Sequence, residues 1–513
     1  MHSRGGIPWI VLACLALGGL AVERLSTGEG IGLSPDSLGY MGAAYSIREG
    51  KGLTIPWGGG PAMTHWPPLF PAVLAGIGCV SLGSLSAGAW LNGVLFAVNI
   101  FLLGGIVHWA AGKRWCAILA AFLMLASTDL ISVHAWIWSE PLFVCFCLLF
   151  LHLIHRYVED AGTAMLLAAS VAASLAMLTR YAGVALIGAG IVAIFLLGPK
   201  PLHRRLRDCA VLMAASFAPL AAWLIRNSLA GGTSTNRALA WHPVTHAQLL
   251  DGFGTVSAWM VPGRLPALLQ GAAVIAAAAV FAMAVPVLLS KRRREVLDKM
   301  QVRWKCLCLF SIFAAAYAAF IIVSISVFDA NTPLDSRILA PVHVAGAAFA
   351  VCCAGLLWDV WRPAGIVVLL LIAAVAVRGT AESSRWVAQR SIDGCGYTTP
   401  EWQNSPLTHY LRGLRPDSPV YTNVPGVVFF HLGKKEAYRL PSKVRLGEAR
   451  PNENFRAELN AMRDDLVRRG GVIAYYYRGE MEGLPPGGEL REELPLKIVA
   501  QYPNETAYAI NEE

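Results

Sequence analysis

Four short stretches of this chain join a charged side chain to a turn: Asp36 in Ser34-Pro35-Asp36-Ser37, Glu140 in Ser139-Glu140-Pro141, Arg180 in Thr179-Arg180-Tyr181, and Arg337 in Asp335-Ser336-Arg337. A held carboxylate can take a proton from a hydroxyl as it attacks. A guanidinium offers a planar fork of donors suited to phosphate. Tyr40, Tyr181 and His65 lie close to them in sequence and are candidates to line the same site. Each residue also has an ordinary reading. Asp36 is well placed to cap the helix that runs to Gly50, the arginines could snorkel at a membrane boundary, and a histidine before Pro67-Pro68 suits a structural turn.

The elements that position these groups must cross a membrane. The chain has 513 residues, 56% of them apolar and 15% charged, with a mean hydropathy of +0.52. Leu53 to Gly112 contains no Asp, Glu, Lys or Arg. Such runs exclude a soluble enzyme, a disordered chain and a secreted disulfide scaffold. They are long, Ala/Leu-rich and non-alternating, so the spans are expected to be helices rather than barrel strands. Eleven are expected: Ile7 to Val22, then roughly 88–109, 115–133, 136–154, 163–178, 182–198, 209–225, 266–290, 306–327, 338–357 and 363–378. Asp129 and Glu140 bracket a loop between two uncharged runs too short to cross about 30 Å unaided, so those helices should extend through the carboxylates. An acid at that depth usually faces a polar cavity.

Short cytoplasmic loops carry the excess of Lys and Arg. Lys113-Arg114, Arg156, the run Lys200 to Arg207 and the run Lys291 to Lys305 fall on one side if Leu69 to Gly83 is an interfacial helix and not a span. All four charged turns then lie on the other side. So does the polar tail, Gly379 to Glu513, expected to be a small soluble α/β domain with strand-like runs at Pro419 to Tyr421, Val427 to His431, Val472 to Tyr477 and Ile498 to Tyr502. The predicted division is a transmembrane module over 1–378 and an extracytoplasmic domain over 379–513. Ten of the eleven cysteines sit within or beside apolar segments, and no metal-ligand spacing accompanies them, so neither zinc nor a structural disulfide is expected. The net charge of +9 reports orientation and not nucleic-acid binding.

At His65-Trp66-Pro67-Pro68-Leu69-Phe70-Pro71 the sequence begins to resemble a family. An Asp followed by a Tyr-bearing helix, the Gly50-Lys51-Gly52 turn and a Pro-Pro-Leu-aromatic-Pro run is similar to the first periplasmic loop of GT-C membrane glycosyltransferases, among them the lipid A aminoarabinose transferases and protein O-mannosyltransferases. Ser139-Glu140-Pro141, Leu178 to Gly183 and Asp335 to Pro341 resemble further motifs of that family. The resemblance implies a polytopic α-helical GT-C-like fold and a sugar donor on a polyprenyl phosphate. It also makes Asp36 the catalytic carboxylate. Many relatives have a second acid near that Asp, where this chain has Ser37, and aminoarabinose-type relatives have a Lys before the Pro pair, where Trp66 stands. Some relatives use a divalent metal, but no carboxylate cluster suited to one is visible and no metal is assigned.

The expected activity is transfer of a sugar from the polyprenyl-phosphate donor to a lipid, glycan or protein acceptor at the outer face of the inner membrane. The expected site is Asp36 as base, with Glu140, Arg180, Tyr181, Arg337, His65 and Tyr40 binding substrate. The alternative is a non-enzymatic carrier or flippase for a lipid-linked saccharide, which should place ionisable groups near midplane. Here they gather at one boundary.

Overall fold

The computed structural model describes residues 6–237, 239–261, 266–282, 290–299, 304–445, 450–479 and 483–511. Apolar helices dominate: α1 (Gly6–Ser26), α2 (Pro35–Arg48), α3 (Leu69–Ile77), α4 (Leu85–Ala111), α5 (Arg114–Ala126), α6 (Thr128–His134), α7 (Glu140–Asp160), α8 (Thr163–Thr179), α9 (Val184–Leu197), α10 (Leu202–Gly231), α11 (His246–Met260), α12 (Ala267–Ala282), α13 (Lys291–Lys299), α14 (Trp304–Val327), α15 (Ala340–Val360) and α16 (Arg362–Asp393). Every expected span meets one of these helices, although residues 283–289 of the expected 266–290 span and 300–303 of the basic run lie outside the described residues. Among the described residues seven helices are long and apolar enough to cross a membrane, and an eighth crossing counts if α5 and α6 form one. The chain is a multi-pass membrane protein. At 17 and 14 residues, α8 and α9 reach only about 26 Å and 21 Å, short of a full crossing.

Three boundaries differ from the sequence reading, each for a local reason. The run 115–133 breaks at Ser127, where the axis bends by 65°. Ser127 ends α5 in an extended conformation and its hydroxyl accepts from Leu130 N at 3.3 Å, capping α6. The next span starts at Glu140 rather than 136, since Pro141 suits a first turn and Trp136 to Ser139 precede it outside any helix. The last span continues past Arg378 to Asp393, because Ala, Glu, Arg and Gln sustain a helix until Gly394 stops it. Leu69–Ile77 forms the short helix expected within Leu69 to Gly83, ended by a left-handed Gly78.

The tail carries α17 (Pro400–Gln403), α18 (Pro406–Arg412), α19 (Pro425–Leu432), α20 (Phe455–Arg469) and α21 (Gly487–Glu493) around strands β1 (Val420–Thr422), β2 (Ala437–Arg439), β3 (Val444–Arg445), β4 (Arg450–Pro451), β5 (Val472–Tyr476), β6 (Leu496–Tyr502) and β7 (Glu505–Ile510). The main sheet has the order β2-β1-β5-β7-β6, with β1 parallel to β2 and β5 and with β7 antiparallel to its neighbours. This is the expected small α/β domain. Val427 to His431, expected as a strand, is helical. Pro425 starts α19, Gly433 closes it in the left-handed region, and its apolar residues are buried between the sheet and the membrane module. Phe429 meets both Tyr45 of α2 and Trp57, each at 5.4 Å between ring centres.

Candidate active site

The site is built on α2. Ser34 is its N-cap: the Ser34 hydroxyl accepts from Ser37 N and the Ser37 hydroxyl accepts from Ser34 N at 3.0 Å. This corrects the ordinary reading of Asp36 as the cap, since Asp36 lies inside the first turn and its carboxylate remains available for other partners. The rest of α2 is held from all sides. A Cβ at Gly39 would lie 2.3 Å from the Trp66 ring, so only glycine lets the helix and the His65-Trp66 turn come this close. Tyr40 packs edge-on against Trp66 and Phe70, with ring centres 5.3 and 5.1 Å apart, contacts worth about 0.5–1.5 kcal/mol each beyond burial.

Arg337 donates from Nη2 to Asp36 Oδ2 at 2.6 Å and from Nε to Glu140 Oε1. Arg180 donates to the same Glu140 oxygen at 2.5 Å and to Ser139 Oγ at 3.1 Å. Ser139 Oγ also lies 3.3 Å from the Tyr40 hydroxyl. Two acids and two guanidinium groups thus form one electroneutral cluster drawn from four separate segments. The Glu140 side chain is 1% exposed and that of Asp36 31%, so Glu140 braces the arginines while Asp36 is open to a reactant. Burial pushes the Asp36 carboxyl up, but the Arg337 guanidinium outweighs it and holds the group below the ordinary carboxylate range. Burial, with the Asp36 and Glu140 charges, pushes the Tyr40 phenol up, so Tyr40 stays protonated as a donor.

The other named residues are placed differently. His65 makes an edge contact with Trp66 at 4.8 Å and feels the Asp36 charge. Burial and the nearby Arg237 push its imidazole down to about 4, so it is neutral at ordinary pH. Tyr181 is not brought into the charge cluster. Its hydroxyl donates to the Thr64 carbonyl at 3.3 Å and accepts from Trp223 Nε1 at 3.2 Å, which ties the Arg180 turn to α10. Asp129 accepts from the Ser336 hydroxyl at 2.9 Å, one residue before Arg337. Sequence reasoning missed Asn92 and Asn99 of α4. Asn99 donates to the Pro141 carbonyl at 3.0 Å and lies 3.2 Å from His134 Nε2, while Asn92 donates to the His134 carbonyl at 2.9 Å. Both asparagines are buried and hold the segment that presents Glu140. Polar residues inside an apolar span were the available signal.

Asp36 and Glu140 spend oxygens on guanidinium groups, and no group of three His, Cys, Asp or Glu side chains gathers among the described residues.

No protein-family model and no curated protein matches the sequence. Solved structures do match in shape. An ArnT from Cupriavidus metallidurans, solved bound to undecaprenyl phosphate, superposes with a TM-score of 0.56 at 16% identity over 99% of each chain. The archaeal oligosaccharyltransferase AglB from Archaeoglobus fulgidus, in complex with an inhibitory peptide and a dolichol-phosphate, gives 0.55 at 12% identity, covering 100% of this chain and 75% of its own. The mycobacterial arabinofuranosyltransferase AftD gives 0.50 at 16% identity over 98% of this chain and 41% of that one. The likeness extends along the whole chain, from the first span through the C-terminal sheet, and the protein has the GT-C fold.

Proposed function

We propose that the protein is a membrane glycosyltransferase that moves a sugar from a polyprenyl-phosphate donor to a cell-envelope acceptor at the outer face of the inner membrane. The observation that carries this reading is the partly exposed Asp36 carboxylate, paired with Arg337 in a cluster that Arg180 joins through Glu140, at one end of an apolar helical bundle. The acceptor is a lipid, glycan or protein bearing a hydroxyl or amine. The solved ArnT and AglB structures hold undecaprenyl phosphate and dolichol-phosphate, which supports a lipid-phosphate donor here.

Asp36 takes the proton from the acceptor as its oxygen or nitrogen attacks the anomeric carbon. The bond from that carbon to the phosphate oxygen breaks, and the polyprenyl phosphate leaves with the electron pair. Arg337 and Arg180 stabilise the charge growing on the phosphate. Direct displacement inverts the anomeric centre. A weakly basic carboxylate suffices, because the acceptor becomes more acidic as its new bond forms, and it stays ionised at neutral pH. Glu140 keeps both guanidinium groups in reach, and the Tyr40 and Ser139 hydroxyls offer hydrogen bonds beside them. The C-terminal domain packs on the α2 loop through Phe429, which meets Tyr45 and Trp57.

The test is transfer from radiolabelled polyprenyl-phosphate sugars to candidate acceptors by the purified chain, comparing wild type with Asp36→Asn. Loss of transfer in the variant is expected, and equal transfer removes Asp36 from the chemistry.

A further inference from the structure

Trp138 touches Arg337 and the cap of the helix that carries Asp36. Its indole Nε1 donates to Ser34 Oγ at 2.8 Å, at the cap that starts the helix carrying Asp36. Its ring lies under the Arg337 guanidinium at 4.4 Å from the ring centre. The same ring stacks on Trp136, with planes 7° apart and centres 4.9 Å apart.

Trp136 is itself immobilised. Its segment is laced to the chain before α2 by Gly32 N donating to the Ala135 carbonyl at 2.8 Å and Ile137 N donating to the Gly32 carbonyl at 3.0 Å. The chain before α2 is laced in turn to the start of the tail, where Tyr397 N donates to the Leu33 carbonyl at 2.9 Å. Gly396, at φ +58°, lies against the Trp136 ring, and a Cβ there would come within 2.1 Å of the Leu33 carbonyl and 2.5 Å of that ring. Three segments distant in sequence thus form a short ladder, and the stacked indoles carry its rigidity to the charge cluster.

We infer that Trp138 is a positioning residue that sets the separation of Asp36 and Arg337, its N–H fixing the start of α2 while its ring face carries the guanidinium. The inference rests on the proposed function only for its effect on transfer; its effect on Asp36 stands apart from it. A side chain that merely filled space would not need both contacts. A guanidinium over an indole face is attracted by the ring's electrons, and the attraction strengthens where water is scarce. With the ring removed, Arg337 keeps Glu140 but loses the surface that steers it toward Asp36. Groups facing Asp36 from the packed elements are Arg337, Arg180 and His65, with Glu140 and Tyr40 behind them.

The experiment uses the full chain in lipid nanodiscs. The Asp36 carboxylate is titrated by difference infrared spectroscopy against Asp36→Asn, and single-turnover transfer is measured alongside. Trp138→Leu, which removes both contacts, is expected to raise the Asp36 midpoint by about one pH unit and slow transfer at least tenfold. Trp138→Phe removes the indole–hydroxyl bond and keeps a ring under Arg337, so it should give a smaller rise; Ser34→Ala removes the same bond together with the cap contact to Ser37 N and should also raise the midpoint, and Ser34→Thr, which keeps an accepting hydroxyl, should restore the wild-type midpoint. An unchanged midpoint in folded Trp138→Leu overturns the inference. Where that variant does not fold, an unchanged midpoint in Ser34→Ala does the same. Undiminished transfer by Asp36→Asn would instead strike the proposed base, while the infrared midpoints would still decide the role of Trp138.

Discussion

The two ends of the bundle each bury an aspartate among cations, and they do it differently. At the end where α7 finishes and α10 begins, Asp208 accepts from Lys200 at 2.7 Å, from Arg207 at 3.0 Å and from the Tyr157 hydroxyl at 2.5 Å. Two of those partners lie within eight residues of it, and its side chain is 3% exposed. At the other end Asp36 reaches a partner 301 residues away and keeps about a third of its side chain open. Asp208 is closed on all sides, as a structural ion cluster should be. Asp36 is held by one guanidinium that another carboxylate also claims, an arrangement that would let the phosphate of the proposed donor enter by exchange.

The largest separation between the two ends comes from paired substitutions. Asp36→Asn is expected to lower single-turnover transfer by about 10³-fold, within the usual range for losing a general base, while leaving the melting temperature nearly unchanged. Asp208→Asn should do the reverse. Leaving Lys200 without its carboxylate costs about 3 kcal/mol, seen as a lower melting temperature, with transfer per folded molecule retained. Next in size is Glu140→Ala, which frees both arginines from their brace. Transfer should fall by roughly 10- to 100-fold with a raised KM for the donor, measured by initial rates.

A smaller effect concerns pH. Arg337 holds the Asp36 carboxyl below its ordinary range, so the base is ionised above that range and transfer is lost only as pH falls through the depressed value. In Arg337→Gln the largest lowering influence is removed while burial remains, with Arg180 still lowering the carboxyl in part, so the acid limb of the rate profile should move to higher pH. A limb that stays in place would show that another group titrates there. The smallest effect is expected from His65→Gln. The imidazole is already neutral above about 4, so the profile between roughly pH 5 and 8 should keep its shape.

Much of this comparison was legible in the sequence, and its limits are physical. Asp36, Glu140, Arg180 and Arg337 stood out as charges beside turns at the edges of apolar runs, in motifs that resemble a known family, although each also had an ordinary reading. Their convergence from four loops could not be read from spacing. Tyr181 was drawn in by adjacency to Arg180, yet the backbone turn sends its ring toward Trp223. Val427 to His431 has the composition of a strand, but Pro425 and Gly433 are helix punctuation, and burial on several faces removes the periodicity that would reveal a helix. Trp136 and Trp138 drew no reading from the sequence, because stacking and cation contacts leave no pattern in one sequence. Ser34 was overlooked because Asp36 looked the better cap.

The cluster of two acids and two arginines also governs how a charged headgroup would arrive. With no net charge among Asp36, Glu140, Arg180 and Arg337, the entrance exerts little long-range pull, so capture depends on lateral encounter within the lipid leaflet followed by a local swap of partners. Donor capture should therefore be nearly indifferent to added salt, and its rate should track the fluidity of the surrounding bilayer.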